Sequence, residues 1–254
     1  MTYHTSSVPR LDQILARNLG LSRSEVTRLL RRGAVRDQAG TVLRDPKTAI
    51  AGESLPLPIQ VGERVLTLRT HMHLMQHKPV GVVTSRKDDR HPTAWALLEG
   101  APLHNELRAV GRLDLDAAGL LLWTTEGPRI QALTHPKRAV PREYQVALAR
   151  DFRAPDLGDD GRPDLILADG TRPRIVSLAS LSEDRRHVAL PTPEGTEALA
   201  RITLLDGAYH EVKRIFAALG SHVLCLARVS HAGLALPEDL DAGAWRALEE
   251  LPEP

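Results

Sequence analysis

An uninterrupted apolar run at residues 120–123 is the feature that most constrains how this chain can fold. Apolar residues that follow one another without polar alternation are typical of a strand buried on both faces. A charged group made of Arg112, Asp114 and Asp116 comes shortly before the run. We therefore expect a carboxylate beside an arginine at the entrance to the protein core rather than on a solvated loop.

The charged group has two interpretations. A carboxylate held at the edge of a core can act as a nucleophile or general base, because an adjacent guanidinium favours its ionised form. Alternatively, Arg112 and Asp114 form a structural ion pair that fixes a turn. The spacing alone favours the ion pair, so the choice depends on the rest of the chain.

The composition is that of an ordinary globular protein. The 254 residues are 42% hydrophobic and 26% charged, which allows one large domain or two. No segment approaches the ~18 consecutive apolar residues of a membrane-spanning helix. Cys225 is the single cysteine, which excludes an internal disulfide, and residues 1–7 do not resemble a signal peptide. We expect a cytoplasmic protein.

Positive charge is concentrated near the N-terminus. Residues 9–48 contain nine Lys or Arg against four Asp or Glu, a net charge of +5. Since the whole chain carries +1, the remainder carries −4. This asymmetry indicates a basic arm that binds a polyanion, joined to a larger catalytic or structural body.

The basic segment is predicted to form two helices and a hairpin. Apolar residues at helical spacing (11, 14, 15 and 19) form the first helix, and Gly20 is a suitable stop. Ser22 and Glu25 have the spacing of a capping box that begins the second helix. Residues 34–36 and 41–43 flank a turn, and residues 55–59 could add a short edge strand.

This segment resembles the S4 RNA-binding module. The resemblance rests on Arg10-Leu11-Asp12, on Leu21-Ser22-Arg23-Ser24 and on Gly33 before Val35. A basic surface without a ligand is the alternative, but arginines clustered on one short helix favour phosphate contacts. The residues predicted to contact RNA are Arg10, Arg23, Arg28, Arg31, Arg32 and, further along the chain, Lys78. We expect a disordered N-terminus at 1–8, the module and a linker at 9–65, and a catalytic domain at 66–254.

The rest of the chain is predicted to contain many strands and few helices. This content favours an α+β fold, in which a largely antiparallel mixed sheet has flanking helices, over a doubly wound fold. Residues 74–85 are predicted to form a strand, a Pro/Gly turn and a second strand. Further strands are predicted at 120–123, 144–148, 164–167, 174–178, 187–190, 201–205 and 223–229, and helices at 128–133, 212–219 and 243–251.

Five ordered motifs of this larger region resemble the pseudouridine synthase family, specifically the branch that modifies small-subunit (16S) ribosomal RNA, the A type. They are His77-Lys78-Pro79-Val80-Gly81, Gly111-Arg112-Leu113-Asp114, Arg142-Glu143-Tyr144-Gln145-Val146, Gly207-Ala208-Tyr209-His210-Glu211-Val212-Lys213-Arg214-Ile215-Phe216 and Leu226-Ala227-Arg228. With the S4-like module in front, the resemblance covers residues 10–251. The chain departs from the family pattern at His77, where asparagine is usual, at Ala117 and Ala118, where hydroxyl residues are usual, and at Glu211, where glutamine is usual.

The resemblance implies a role for each of three residues. Asp114 would be the nucleophile, Tyr144 would stack on or deprotonate the target nucleoside, and Lys213 would orient Asp114 by charge. Considered alone, Tyr144 is as typical of a core tyrosine and Lys213 of a solvated lysine. Asp116 is a rival nucleophile, but only Asp114 stands at the family position. Substrate contacts are expected from Arg112, Arg214, Leu226 and Arg228.

The implied activity is site-specific isomerisation of uridine to pseudouridine in ribosomal RNA, 16S above all, on a flipped-out uridine. The sequence does not choose between attack of Asp114 on C1′, attack on C6 and a glycal route. The expected partner is ribosomal RNA or a subunit assembly intermediate, and we expect a monomer that needs no metal, cofactor or membrane. Alternatives are a synthase for 23S ribosomal RNA or transfer RNA, and a non-catalytic RNA-binding assembly factor; a nucleoside hydrolase is disfavoured because it needs no arginine-rich arm.

Overall fold

The computed structural model describes residues 8–158 and 163–254. The remaining positions, 1–7 of the predicted N-terminal tail and 159–162 of an acidic segment, lie outside the described residues. The chain divides into two compact units. The first contains residues 8–72 and Glu99–Leu107, and the second contains His73–Leu98 and Arg108–Pro254.

Two helices and a three-stranded sheet make up the first unit: α1 (Leu11–Leu19), α2 (Arg23–Arg31), β1 (Val35–Asp37), β2 (Leu57–Val61) and β3 (Arg64–Leu68). The capping box of Ser22 and Glu25 is present at the start of α2. The apolar faces of α1 and α2 pack on Ile59 and Leu68 in one small core. The strand order is β1-β2-β3, so β2 is central and not the edge strand that we predicted.

The boundary predicted between residues 65 and 66 falls inside β3. Leu66 and Leu68 pair with Ile59 and Leu57 of β2, which fixes β3 in the first unit. The unit also takes in Glu99–Leu107, where Glu106 forms an ion pair with Arg17 at 2.7 Å. A segment inserted from later in the chain cannot be recognised from local composition, which is why the sequence placed the boundary too early.

The second unit is built on a nine-stranded sheet. Along its path the strand order is β12-β4-β6-β10-β7-β9-β8, with β5 beside β6 and β11 beside β10. All described pairings are antiparallel except that of β6 with β10. This mixed α+β architecture is the predicted fold class. Its elements are β4 (His73–Lys78), β5 (Arg108–Val110), β6 (Ala117–Thr124), α3 (Gly127–Thr134), β7 (Arg142–Leu148), β8 (Ile175–Ser180), β9 (Ala198–Leu204), α4 (Glu211–Ala218), β10 (Val223–His231), β11 (Leu234–Ala235) and β12 (Trp245–Leu248).

Strand β6 is the centre of this sheet, as its apolar run predicted. All eight residues of β6 are buried, and β4, β5 and β10 all pair with it. Leu120 and Leu122 lie in a core that also contains Val110, Ala227 and Val229. The strand therefore gives the turn that precedes it a fixed base.

Several of the predicted elements are wrong. The second strand predicted within 74–85 is reduced to a single bridge between Val83 and Thr93. Residues 243–251 were expected to form a helix, but Trp245–Leu248 is strand β12, which pairs antiparallel with β4. The open edge of β4 offers unpaired backbone groups to this segment, and satisfying them outweighs a weak helical pattern. Residues 164–167 and 187–190 lie in loops and turns rather than strands. Within the described residues, no helix is long and apolar enough to cross a membrane.

Candidate active site

A cavity of about 360 Å³ opens in the second unit where the turn before β6 meets β7, β10 and the start of α4. One wall is formed by strand residues, among them Tyr144 of β7 and Leu226 of β10. The other is the segment from Gly207 to Lys213. Asp114 lies in the turn that joins the two walls. Three predicted residues, Asp114, Tyr144 and Lys213, are thus brought together around one cavity.

The turn that carries Asp114 is held by hydrogen bonds from the segment that follows β4. Thr84 Oγ1 donates to the Leu113 carbonyl at 2.8 Å and accepts from the Leu113 amide at 3.1 Å. The Gly81 amide donates to the Leu115 carbonyl at 2.8 Å. These bonds fix the backbone on both sides of Asp114, so the carboxylate enters the cavity from a rigid support.

Lys78 adds two further hydrogen bonds, one of them to the turn, and the predicted contact between Lys78 and RNA is corrected. The side chain is completely buried, and its ammonium donates to the carbonyls of Ala117 at 2.6 Å and Pro79 at 3.0 Å. Burial lowers the pKa of Lys78 to about 8, although the charges of Asp114 and Asp116 oppose the shift. Lys78 therefore supports the turn before β6 and does not reach solvent.

The two carboxylates before β6 share one cation but differ in their surroundings. Asp114 Oδ2 lies 3.3 Å from His210 Nε2 and 3.6 Å from Lys213 Nζ. Lys213 Nζ lies closer to Asp116 and donates to its two carboxylate oxygens at 2.7 and 2.8 Å. The Asp114 side chain is 30% exposed and lines the cavity, whereas that of Asp116 is 64% exposed. Asp114 is thus the carboxylate that a bound substrate would meet.

Lys213 lowers the pKa of Asp116. Partial burial would raise the pKa of this carboxyl, but the hydrogen bonds and the positive charge of Lys213, together with smaller contributions from neighbouring groups, leave the pKa below its usual value. The ion pair suggested by the sequence, Arg112 with Asp114, is not formed. Arg112 is exposed on the lining of the cavity, and the basic side chains that lie within 3.6 Å of Asp114 are His210 and Lys213. The spacing within one turn could not show these long-range partners.

Tyr144 lies in the strand wall, with Arg228 beside it on the neighbouring strand. Tyr144 is 8% exposed and is paired across the sheet with Arg228 of β10. Arg228 is 1% exposed, and its Nε donates to the Leu120 carbonyl at 2.8 Å. Burial lowers the pKa of Arg228, and the neighbouring Tyr144 hydroxyl counteracts this shift. Arg228 does not line the cavity, so its predicted substrate contact is corrected to a buried support beside Tyr144, whereas Leu226 does line the cavity.

The second wall depends on Glu211. Its carboxylate accepts hydrogen bonds from the amides of Gly207 at 2.7 Å and Ala208 at 3.0 Å, which closes the loop before α4. Burial raises the pKa of Glu211, although these two amides oppose the shift. Arg142 also holds this loop, because it donates a hydrogen bond to the Asp206 carbonyl at 2.9 Å. The loop that carries His210 is thus fixed by buried polar groups.

Two groups of predicted residues lie elsewhere. Arg214, expected to touch substrate, does not line the cavity and forms an ion pair with Asp169 instead. In the first unit, Arg10 and Arg23 both pair with the buried carboxylate of Asp12, at 3.1 and 2.7 Å. The other three arginines of the predicted RNA surface are exposed: Arg28, Arg31 and Arg32.

Sequence reasoning missed the contributions of Thr84, His210 and Glu211. His210 stands in a family motif from which no role for it follows, and Glu211 is only a departure from the family pattern. The signal for His210 was its position three residues before Lys213, because residues i and i+3 at a helix start share a face. Thr84 left no signal, since its bonds to Leu113 span 29 residues of the chain.

The arrangement offers a partly enclosed carboxylate, a nearby ammonium, an imidazole and a phenol ring. Such a site can support nucleophilic attack followed by proton transfer. Across the described ranges, no three His, Cys, Asp or Glu side chains are grouped so that they could hold a metal ion.

Comparison with known proteins gives consistent matches over this region. The sequence model of the RNA pseudouridylate synthase family matches residues 72–218. A ribosomal small subunit pseudouridine synthase A of Escherichia coli is 33% identical over 250 residues, which is 95% of this chain and 96% of that protein. An uncharacterized RNA pseudouridine synthase of Aquifex aeolicus is 32% identical over 243 residues, or 95% of this chain and 93% of the relative.

A solved structure extends the likeness to three dimensions. The crystal structure of a pseudouridylate synthase covers 94% of this chain and 95% of its own, with 30% identity and a TM-score of 0.57. The match includes the large mixed sheet and the few helices described above.

Proposed function

The chain belongs to the RNA pseudouridylate synthase family, and from this premise we propose that it converts specific uridines of 16S ribosomal RNA to pseudouridine. The proposed RNA is supported by relatives named ribosomal small subunit pseudouridine synthase A, which match this chain over nearly its whole length. The observation that carries the proposal is the position of Asp114. Its carboxylate lines the cavity, with Lys213 within 3.6 Å and Tyr144 in the facing wall.

In the proposed reaction the target uridine leaves the RNA stack and enters the cavity. The N1–C1′ glycosidic bond breaks, the uracil turns, and a C5–C1′ bond forms. C5 loses its proton and N1 gains one, so the product is an isomer of the substrate. Asp114 assists by attack on C1′, by attack on C6 or by a glycal route, and all three need an ionised carboxylate at the same place.

The neighbours of Asp114 have roles that follow from their contacts. Lys213 bridges Asp116 and Asp114, so Asp116 holds the ammonium while Asp114 keeps an oxygen free for the substrate. Tyr144 presents its ring to the cavity from a buried strand and can hold the uracil or exchange a proton with it. Arg228 supports this tyrosine without entering the cavity.

We also propose that the first unit is an S4-like RNA-binding module that acts through Arg28, Arg31 and Arg32. Replacing all three with alanine should weaken RNA binding and lower the slope of log K against log salt by roughly 3, because each phosphate contact releases counterions. Folding should be unaffected, since the three side chains are exposed. Binding measured across a salt series tests this, with the exposed Arg246→Ala as the control. An unchanged slope would refute the role of this surface.

The activity itself is tested by mapping pseudouridines. Chemical mapping of all ribosomal and transfer RNA in a strain lacking the protein should show one or more missing sites in 16S RNA. The purified protein should restore them, either on the naked RNA or on a small-subunit assembly intermediate. Missing sites confined to 23S or transfer RNA would overturn the proposed substrate. RNA binding without conversion on any of these RNAs would overturn the proposed chemistry and favour an assembly factor.

A further inference from the structure

We infer that the exposed ring of Tyr209 is a second base-binding surface, which stacks on an RNA base next to the target uridine. The inference rests on the proposed function and adds a subsite to it. Tyr209 lines the rim of the cavity that contains Asp114, and it is 75% exposed.

The exposure of this ring calls for an explanation. The chain has few aromatic residues, three Tyr, three Trp and two Phe, and Tyr144 is buried. Tyr209 stacks on the His210 ring with centroids 3.8 Å apart and ring planes 19° from parallel. One face of the tyrosine is therefore covered by an imidazole, and its remaining surface is open to solvent. An open aromatic face is what an unpaired base stacks on, whatever its identity.

The backbone fixes this ring. His210 has a φ of +51°, a left-handed conformation that is uncommon for residues other than glycine, although histidine adopts it more often than most. The loop is kept in this conformation by the Glu211 carboxylate, which binds the Gly207 and Ala208 amides. Strain of this kind persists only where surrounding contacts impose it. A loop held by these hydrogen bonds therefore presents the open face of Tyr209 to solvent.

The position of the stack suits a base beside the target. His210, which covers one side of the Tyr209 ring, has its Nε2 3.3 Å from Asp114 Oδ2. The Tyr209 ring is therefore separated from the reacting carboxylate by the imidazole of His210 alone. When a uridine flips out, the bases on either side of it lose a stacking partner. Tyr209 can replace that partner while the uridine occupies the cavity. This would offset part of the cost of flipping and favour RNA over a free nucleoside.

The test uses a short single-stranded RNA around the mapped target uridine, with fluorescent 2-aminopurine on its 5′ or its 3′ side. An Asp114→Asn background keeps the RNA unreacted. With Tyr209 present, binding should quench the fluorescence at one of the two positions. Tyr209→Phe should keep the quenching because it keeps the ring, and Tyr209→Ala should lose it and raise Kd about tenfold. Val188→Ala, an exposed apolar residue that does not line the cavity, is the control.

Equal quenching in Tyr209→Ala and in the protein with Tyr209, or no quenching at either position, would overturn the inference. A parallel assay with Asp114 intact separates this result from failure of the proposed function. If that protein converts its uridine, and Tyr209→Ala converts it with an unchanged KM, only the second base subsite is refuted. If no RNA is converted at all, the proposed function has failed.

Discussion

The two walls of the cavity are built in different ways. The wall formed by β6, β7 and β10 belongs to the central sheet, and its residues are paired on both sides by backbone hydrogen bonds. The wall from Gly207 to Lys213 is a loop and a helix start, held mainly by Glu211 and Arg142. The first wall is fixed by the fold itself, whereas the second is fixed by a few buried polar side chains.

This difference separates stability from activity. A change in the strand wall should disturb the core around β6 and lower the free energy of unfolding strongly. A change in the loop wall should leave the core intact but move His210 and Lys213 relative to Asp114. A small displacement of reacting groups can lower the reaction rate strongly even where it changes the stability little.

Gly119→Ala should have the largest effect on stability. A Cβ at Gly119 would lie 2.2 Å from the Arg228 carbonyl oxygen of β10, and φ is +105°. Because backbone atoms cannot give way, we expect a loss of about 4 kcal/mol or more in urea unfolding. Gly195→Ala is the matched control, with φ +85° and open space around it, and should lose about 1 kcal/mol. Similar losses in the two variants would contradict the rigid strand wall.

Lys78→Met should lower the free energy of unfolding by about 2 kcal/mol, because it leaves the Ala117 and Pro79 carbonyls without the ammonium that donates to them. It should also change the pH dependence. The folded protein releases the Lys78 proton near pH 8 and the unfolded chain near 10.5. Between these values the unfolded state binds more protons, so wild-type stability rises with pH. The stability difference between wild type and Lys78→Met should therefore grow from pH 8 to 10.5. A constant difference would contradict the lowered pKa of Lys78.

Glu211→Ala should have the smallest effect on stability, about 1 kcal/mol, for the loss of one acceptor shared by two amides. Its conversion rate should nevertheless fall about tenfold, because the loop wall shifts. Glu211→Gln keeps an acceptor oxygen and should retain most of the activity. Because burial raises the pKa of Glu211, wild type should lose stability relative to Glu211→Gln as pH rises above about 4.5. A wild-type conversion rate in Glu211→Ala would show that the loop does not depend on the hydrogen bonds that Glu211 accepts.

Local patterns predicted the elements that depend on local sequence. The apolar run gave β6, and apolar residues at 212, 215, 216 and 219 predicted the helix that the structure has as α4. The order of the motifs selected Asp114, Tyr144 and Lys213 as one site, and the cavity contains all three.

Contacts between distant parts of the chain could not be predicted from spacing. Lysine is usually a surface residue, and only the pairing of β4 with β6 shows that Lys78 is buried. Arg228 is buried beside Tyr144, its partner where β10 pairs with β7. β12 forms where a helix was expected because the edge of β4 is open to it. In each case a tertiary partner overrode the local preference.

The central claim is that Asp114, and not Asp116, reacts with the uridine, although Lys213 lies closer to Asp116. Single-turnover conversion of the target RNA by wild type, Asp114→Asn and Asp116→Asn tests this directly. Asp114→Asn should bind RNA as wild type does but lose conversion by on the order of 10⁴-fold or more. Asp116→Asn should convert within about tenfold of wild type, because it only loosens Lys213. Conversion that survives in Asp114→Asn, or is abolished in Asp116→Asn alone, would contradict the assignment.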